Sequence, residues 1–279
     1  MEHHPTFIGD VVNWLLGWLA LPLLEALGVH PHDVQRPIPD HIATQLFIVV
    51  LSVGFFLWFR RRISVDNPGA VQLCFEKVLS NPFRVGIYDL LDEIVGHHGR
   101  QYLAIIGTVG LYVLFCNVIS LIPGFMSPTA HHTVPLGCAI VVFLYYNFAG
   151  IGVHGAAGYG KHFIGPALAA PVWMWPIMIP LLLVVEVVSN LARLLSLTVR
   201  LWVNMVVSEL LYVTFLGLGL AMMAAGWKMN AALGAAGAVA PLIIPLAFVG
   251  LHVFVAFLQA FVFTLLPVVY VAGAVAEEH

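Results

Sequence analysis

The sequence predicts an all-α, polytopic membrane protein. About five helices cross the membrane, and the last two form a hairpin of long, tilted arms. Three observations predict this. Hydrophobic residues make up 61% of the 279 and charged residues only 9%, where a soluble domain carries about 25% charged residues. Three apolar runs each have the ~20-residue length of a bilayer crossing. Two longer apolar stretches follow, separated only by a short polar turn. So much apolar surface exceeds what one water-facing globule can hide, and the natural solvent is lipid.

Residues 1–40 read as an outer, interfacial segment. The opening lacks the basic start of a signal peptide, and the apolar stretch 14–24 is short and contains Pro22. An interfacial helix is the favoured reading there, with a bilayer span as the alternative. Residues 41–276 read as a single transmembrane domain. Its first span, 41–59, ends at Arg60, Arg61 and Arg62. Residues 67–100 mix apolar side chains with Glu76, Lys77, Asp89, Asp92 and Glu93. That pattern predicts amphipathic surface helices, interrupted near Asn81 and Pro82. Spans over 101–123 and 134–154 follow, the first stopping at Pro123-Gly124.

The hairpin arms cover 173–227 and 229–276. From 181 to 227 there is no proline. One helix of that length extends ~70 Å against a bilayer core of ~30 Å, so it must tilt, bend or break. The turn is expected at Trp227 to Asn230. Residues 277–279, Glu277-Glu278-His279, form the tail. The positive-inside rule sets the orientation. Arg60, Arg61, Arg62, Lys77, Arg84, Arg100 and Lys161 fall on one side, and Arg36 and Lys228 on the other. This places the N-terminus outside and the C-terminus inside.

Several function classes are disfavoured. The net charge of −3 comes with no basic tract for nucleic acid. No GxxxxGK[ST] nucleotide loop is present. The three cysteines, Cys74, Cys116 and Cys138, form no CxxC and read as small buried side chains. The thirteen histidines include His3-His4, His30/His32, His97-His98 and His131-His132. They lack Cys or acidic partners at ligand spacing, so no metal or other cofactor is expected.

Ionisable residues inside membrane spans are costly and mark function by default. The first hairpin arm carries Glu186, Arg193, Arg200 and Glu209, and the second carries His252. At 100° per residue, Glu186, Arg193 and Arg200 share one helix face. Asn204 joins that face, and Ser189 and Ser196 flank it. Glu209 points to the opposite side. On the second arm His252, Gln259 and Tyr270 share a face. Folding about a turn near residue 229 brings Arg200 level with Gln259 and Glu209 level with His252. Two polar pairs thus meet at matched depths. Arg193 has a bland alternative as a snorkelling side chain, and Glu186 could simply pair with it. Arg200 has none: no acidic residue lies three or four positions away, and an unpaired buried guanidinium is expensive.

These residues carry a resemblance. The stretches RLWVNMVVSE (200–209) and HVFVAFLQAFVFTLLPVVY (252–270) resemble subunit a of the F-type ATP synthase, bacterial type. NVISLIPG (117–124) and the closing EEH resemble it too. The departures are Val203 and Ser208 in place of small glycines, Leu194 where many relatives have proline, and Ser120 where some relatives carry an acidic residue. The resemblance implies a non-catalytic, proton-translocating subunit of the F0 sector in a bacterial inner membrane. Its partners would be a ring of c subunits, subunit b, other ATP synthase subunits and lipid. Two half-channels would meet the ring. Arg200 would block direct proton leakage and help ionise ring carboxylates. Glu209 and His252 would line the outer half-channel. Gln259 and Asn204 would orient Arg200 or hold water. Glu186, Ser189, Ser196 and Tyr270 would line the inner half-channel.

A secondary ion/proton transporter is the rival reading. It would usually show inverted repeats and paired broken helices, and the sequence has no second copy of the Arg…Glu hairpin. A membrane metalloenzyme is a third class, tested by bound metal.

Overall fold

The computed structural model describes residues 7–26, 28, 36–80, 86–96, 99–122, 125, 127–162, 171–229 and 240–276. Among them every regular element is helical. The elements are α1 (Phe7–Ala26), α2 (Asp40–Arg60), α3 (Ala70–Leu79), α4 (Ile87–Ile94), α5 (Leu103–Val118), α6 (Thr133–His162), α7 (Trp175–Met229) and α8 (Ala240–Val275). Short 3-10 turns, Gly99–Tyr102 and Ile119–Leu121, extend α5 at both ends.

Among the described residues six helices are long and apolar enough to cross a membrane. They are the five expected ones and α1. The polytopic all-α architecture is therefore the one read from the sequence. The expected Asn81-Pro82 break, the Pro123-Gly124 stop, the pairs His3-His4, His30/His32 and His97-His98, and the tail 277–279 lie outside the described residues.

Two compact units form. One comprises Met1–Arg61, Leu111–His131 and Leu201–Ala260; the other comprises Arg62–Gly110, His132–Arg200 and Phe261–His279. In the first unit, α1 docks through its N-terminal half. Ile8 and Val12 bury against Ala43, with Leu16, Ile38 and Phe125 alongside. Asn13 is buried and acts as a staple. Its amide donates to the Ile38 carbonyl at 2.9 Å, and its Oδ1 accepts from the Ile38 N–H at 2.9 Å. Asp10 pairs with Arg36. The opposite face of α1 leaves Phe7, Trp14 and Trp18 at least 73% exposed. At the start of α2, His41 stacks on His131 with ring centroids 3.8 Å apart.

Also in the first unit, α7 and α8 run side by side. The rings of Phe215 and Phe248 stack at 4.3 Å, a pair whose midpoint is residue 231.5. α7 continues to Met229 and α8 begins at Ala240. Trp227 to Met229 are thus helical, and Asn230 lies outside the described residues. At 55 residues α7 is a single helix, so the length mismatch falls on tilt or curvature and not on a break.

In the second unit, the expected surface segment forms α3 and α4. Ile87 and Leu91 of α4 are buried, while Asp92 and Glu93 face outward. Arg100 lies over the Tyr88 ring at 4.5 Å. α6 is interrupted at Gly155, whose φ of 71° is a left-handed conformation that favours glycine.

Candidate functional site

His252 is the centre of the first unit's polar chemistry. It is 7% exposed, and both ring nitrogens have hydroxyl neighbours. Nε2 lies 2.8 Å from Ser120 Oγ, and Nδ1 lies 3.0 Å from Ser208 Oγ. Local structure places both serines. Ser120 sits in the 3-10 turn ending α5, and its hydroxyl donates to the Asn117 carbonyl at 2.8 Å. The last carbonyls of a helix have no intrahelical donor, and a nearby hydroxyl meets that need. Ser208, inside α7, donates to the Met205 carbonyl at 3.1 Å.

Beside the ring lies a cavity of about 220 Å³, lined by Ser120, Ile122, Glu209, Tyr212, Val249 and His252 among others. Among the described residues Glu209 is its one carboxylate. Glu209 and His252, expected at one level, share this cavity without a direct hydrogen bond between them among the described residues. The remaining walls are largely apolar, so charges here are weakly screened.

Behind Ser120 is a buried polar cluster. Thr129 Oγ1 donates to Asn117 Oδ1 at 2.7 Å, and Ser127 Oγ contacts Thr129 Oγ1 at 2.7 Å. Asn117 and Thr129 are 0% exposed, and among the described residues Asn117 Nδ2 has no partner. The cluster ties the segment 127–130 to the end of α5. Trp202 of α7 donates to the Ala130 carbonyl at 3.0 Å. Gln259 is also 0% exposed, and among the described residues neither atom of its amide has a partner.

In the second unit, Arg193 lies over the Tyr270 ring, 5.5 Å from its centroid, and makes no ion pair with Glu186. The Tyr146 ring is 5.7 Å from Tyr270, and the Tyr146 hydroxyl donates to Asn190 Oδ1 at 2.9 Å. Tyr159 donates to Asn147 Oδ1 at 3.0 Å. Glu186 and Ser189 are half-buried, whereas Ser196 and Arg200 are exposed. Arg200 has no carboxylate partner among the described residues. Its neighbours on the exposed stripe of α7 include the apolar Val199, Val203 and Val207 at 40–49% exposure, with Ser196 one turn back. Asn204, one turn on, is half-buried.

A family profile described as ATP synthase A chain matches residues 42–272. The chain belongs to that family. It is 40% identical to ATP synthase subunit a of Solibacter usitatus over 253 residues, 91% of this chain and 93% of that protein. It is 34% identical to ATP synthase subunit a of Koribacter versatilis over the whole of both chains. It is 39% identical to ATP synthase subunit a 3 of Pelobacter propionicus, over 85% of this chain and 87% of that one.

The match to the ATP synthase A chain family includes every candidate residue from Glu186 to Tyr270 and excludes α1. Sequence reasoning had singled out Ser120 and Ser208 only as departures from the family pattern, and the structure joins both to His252. Tyr146, Asn190, Asn147 and Tyr159 carried no such signal. They are uncharged, and single polar side chains in an apolar helix are commonplace.

Proposed function

We propose that this chain is the proton-translocating subunit of the membrane sector of a rotary ATP synthase. It stands beside a ring of c subunits and forms two offset half-channels against that ring. The observation that carries this reading is Arg200, a guanidinium exposed on an apolar stripe with no carboxylate partner among the described residues. Arginine keeps its proton in proteins, and lipid is a poor solvent for its charge. A carboxylate on a neighbouring membrane protein meets both constraints. Arg200 then favours the ionised form of each approaching ring carboxylate. It also blocks a direct leak, because it cannot pass a proton on.

Glu209 and His252 are the relay groups of the outer half-channel, supported by the cavity they share. Gln259 and Asn204 orient Arg200 or hold water. Glu186, Ser189, Ser196 and Tyr270 line the inner half-channel, where Arg193 over Tyr270 supplies a fixed positive charge. The membrane field drives each charge with ~2.3 kcal/mol per 100 mV. ATP chemistry belongs to other subunits.

The chain sits in the bacterial inner membrane with its N-terminus outside and its C-terminus inside. The docking of α1 bears on whether that helix crosses. In a crossing hairpin the last turn of α1 would meet the first turn of α2. Here the first half of α1 does so, as suits a helix lying along the outer surface with Phe7, Trp14 and Trp18 toward the interface. Subunit b is a further partner.

The test is recovery of the tagged full chain from solubilised membranes. Co-isolation of a ring of small proteolipid subunits, each with a mid-membrane carboxylate, is the expected result. Recovery of the chain alone from intact membranes would contradict the reading.

A further inference from the structure

We infer that Ser120 and Ser208 form a cradle for the doubly protonated form of His252, and that their hydroxyls report its charge by rotating. The inference deepens the relay reading, and depends on it only for its consequence in transport.

The geometry rests on a count of hydrogens. A serine hydroxyl has one hydrogen to give and two lone pairs to receive. When Ser120 gives its hydrogen to the Asn117 carbonyl at 2.8 Å, it accepts from His252 Nε2, also at 2.8 Å. When Ser208 gives its hydrogen to the Met205 carbonyl at 3.1 Å, it accepts from Nδ1 at 3.0 Å. With both hydroxyls turned to their carbonyls, both ring nitrogens donate. Only the imidazolium has two N–H donors. Only the charged ring lets both hydroxyls keep their carbonyls at once.

Neutral imidazole carries one hydrogen and one acceptor nitrogen. One hydroxyl must then turn its hydrogen from its carbonyl to the ring. When a proton binds that nitrogen, the new N–H donates to the serine oxygen and the hydroxyl hydrogen returns to its carbonyl. Release reverses the motion. No heavy atom need move.

The cradle is neutral, so it adds no charge to the site. The titratable groups at the cavity are Glu209 and Tyr212 on α7. The lining residues from the α5 side, Ser120, Leu121, Ile122 and Phe125, carry none. Among the described residues lining the cavity, Glu209 is thus the one carboxylate to balance the imidazolium. A serine at position 120 supplies an acceptor without a second negative charge to compete with Glu209.

The test uses the full complex in lipid with ¹⁵N-labelled histidine. His252→Gln identifies the His252 signals by difference. The imidazolium fraction is followed with pH in the parent, in Ser120→Ala and in Ser208→Ala. Hydrogen bonds to charged groups are worth more than neutral ones. Each Ala variant is therefore expected to lower the proton affinity of His252 about tenfold, a midpoint about one pH unit lower. Ser→Thr at either position should restore it, which a merely structural role would not do. Where an Ala variant fails to assemble, Ser→Cys keeps the shape with a weak acceptor and should lower the midpoint in the same direction. An unchanged midpoint in assembled variants at both positions overturns the cradle. A lowered midpoint with an unmoved pH profile of proton pumping upholds the cradle and overturns the relay reading.

Discussion

Nδ1 of His252 lies 3.0 Å from Oγ of Ser208, although the two residues are 44 positions apart. That contact sets the register of α7 against α8 in the first unit. Its midpoint is residue 230, and that of the Phe215–Phe248 stack is 231.5. The expected centre was near 229, so the Ser208–His252 pair lies two residues from the expected register, about half a turn, and the Phe pair five residues, over one turn.

Register can be tested by chemical crosslinking in membranes. Phe215→Cys with Phe248→Cys should join readily through a short thiol-reactive linker. Phe215→Cys with Phe254→Cys, well over a turn displaced, should remain silent. A strong product from the second pair and none from the first would mean a slipped hairpin.

Glu209 and His252 share one cavity. Glu209→Leu and His252→Leu are each expected to slow proton pumping by on the order of a hundredfold, the scale of a lost acid–base group, and to change its pH dependence. Exchanging the two side chains should retain more activity than the worse single variant. Pumping in vesicles across pH is the measurement, and unchanged flux in both single variants removes them from the path.

The Asn117–Thr129 bond is fully buried. Thr129→Val leaves the Asn117 oxygen without its donor and should cost ~1–3 kcal/mol. Denaturant unfolding of the purified chain would show it. A change within error would mean that lipid or water satisfies Asn117 equally well.

α1 is held by Asn13 against Ile38. Trp14 and Trp18 should be quenched more strongly by lipids brominated near the headgroup than by those brominated near the chain ends, in a variant whose other tryptophans are replaced by Phe. Stronger deep quenching would assign α1 as a crossing helix.

The helices were legible because lipid imposes a simple rule: apolar on every outward face for about twenty residues. The common level of Glu209 and His252 was legible because charged residues are rare in spans. The hydroxyl partners were not. Ser120 and Ser208 are uncharged and small, and a serine inside a helix usually bonds its own backbone, as both also do here. Only the fold reveals that both hydroxyls also meet one imidazole. The role of Arg193 was ambiguous for a related reason. Spacing placed it on the face of Glu186, but its actual neighbour, the Tyr270 ring, comes from the other arm of the hairpin.

The central claim concerns Arg200, exposed on an apolar stripe of α7. Its most direct test is ATP-driven proton pumping in membrane vesicles carrying Arg200→Ala, with assembly of the complex verified on the same membranes. The expected result is a fully assembled complex whose pumping and ATP synthesis fall to background, with little rescue by Arg200→Lys, because a buried ammonium can lose its proton where a guanidinium cannot. Normal coupled pumping by assembled Arg200→Ala complexes would contradict the claim.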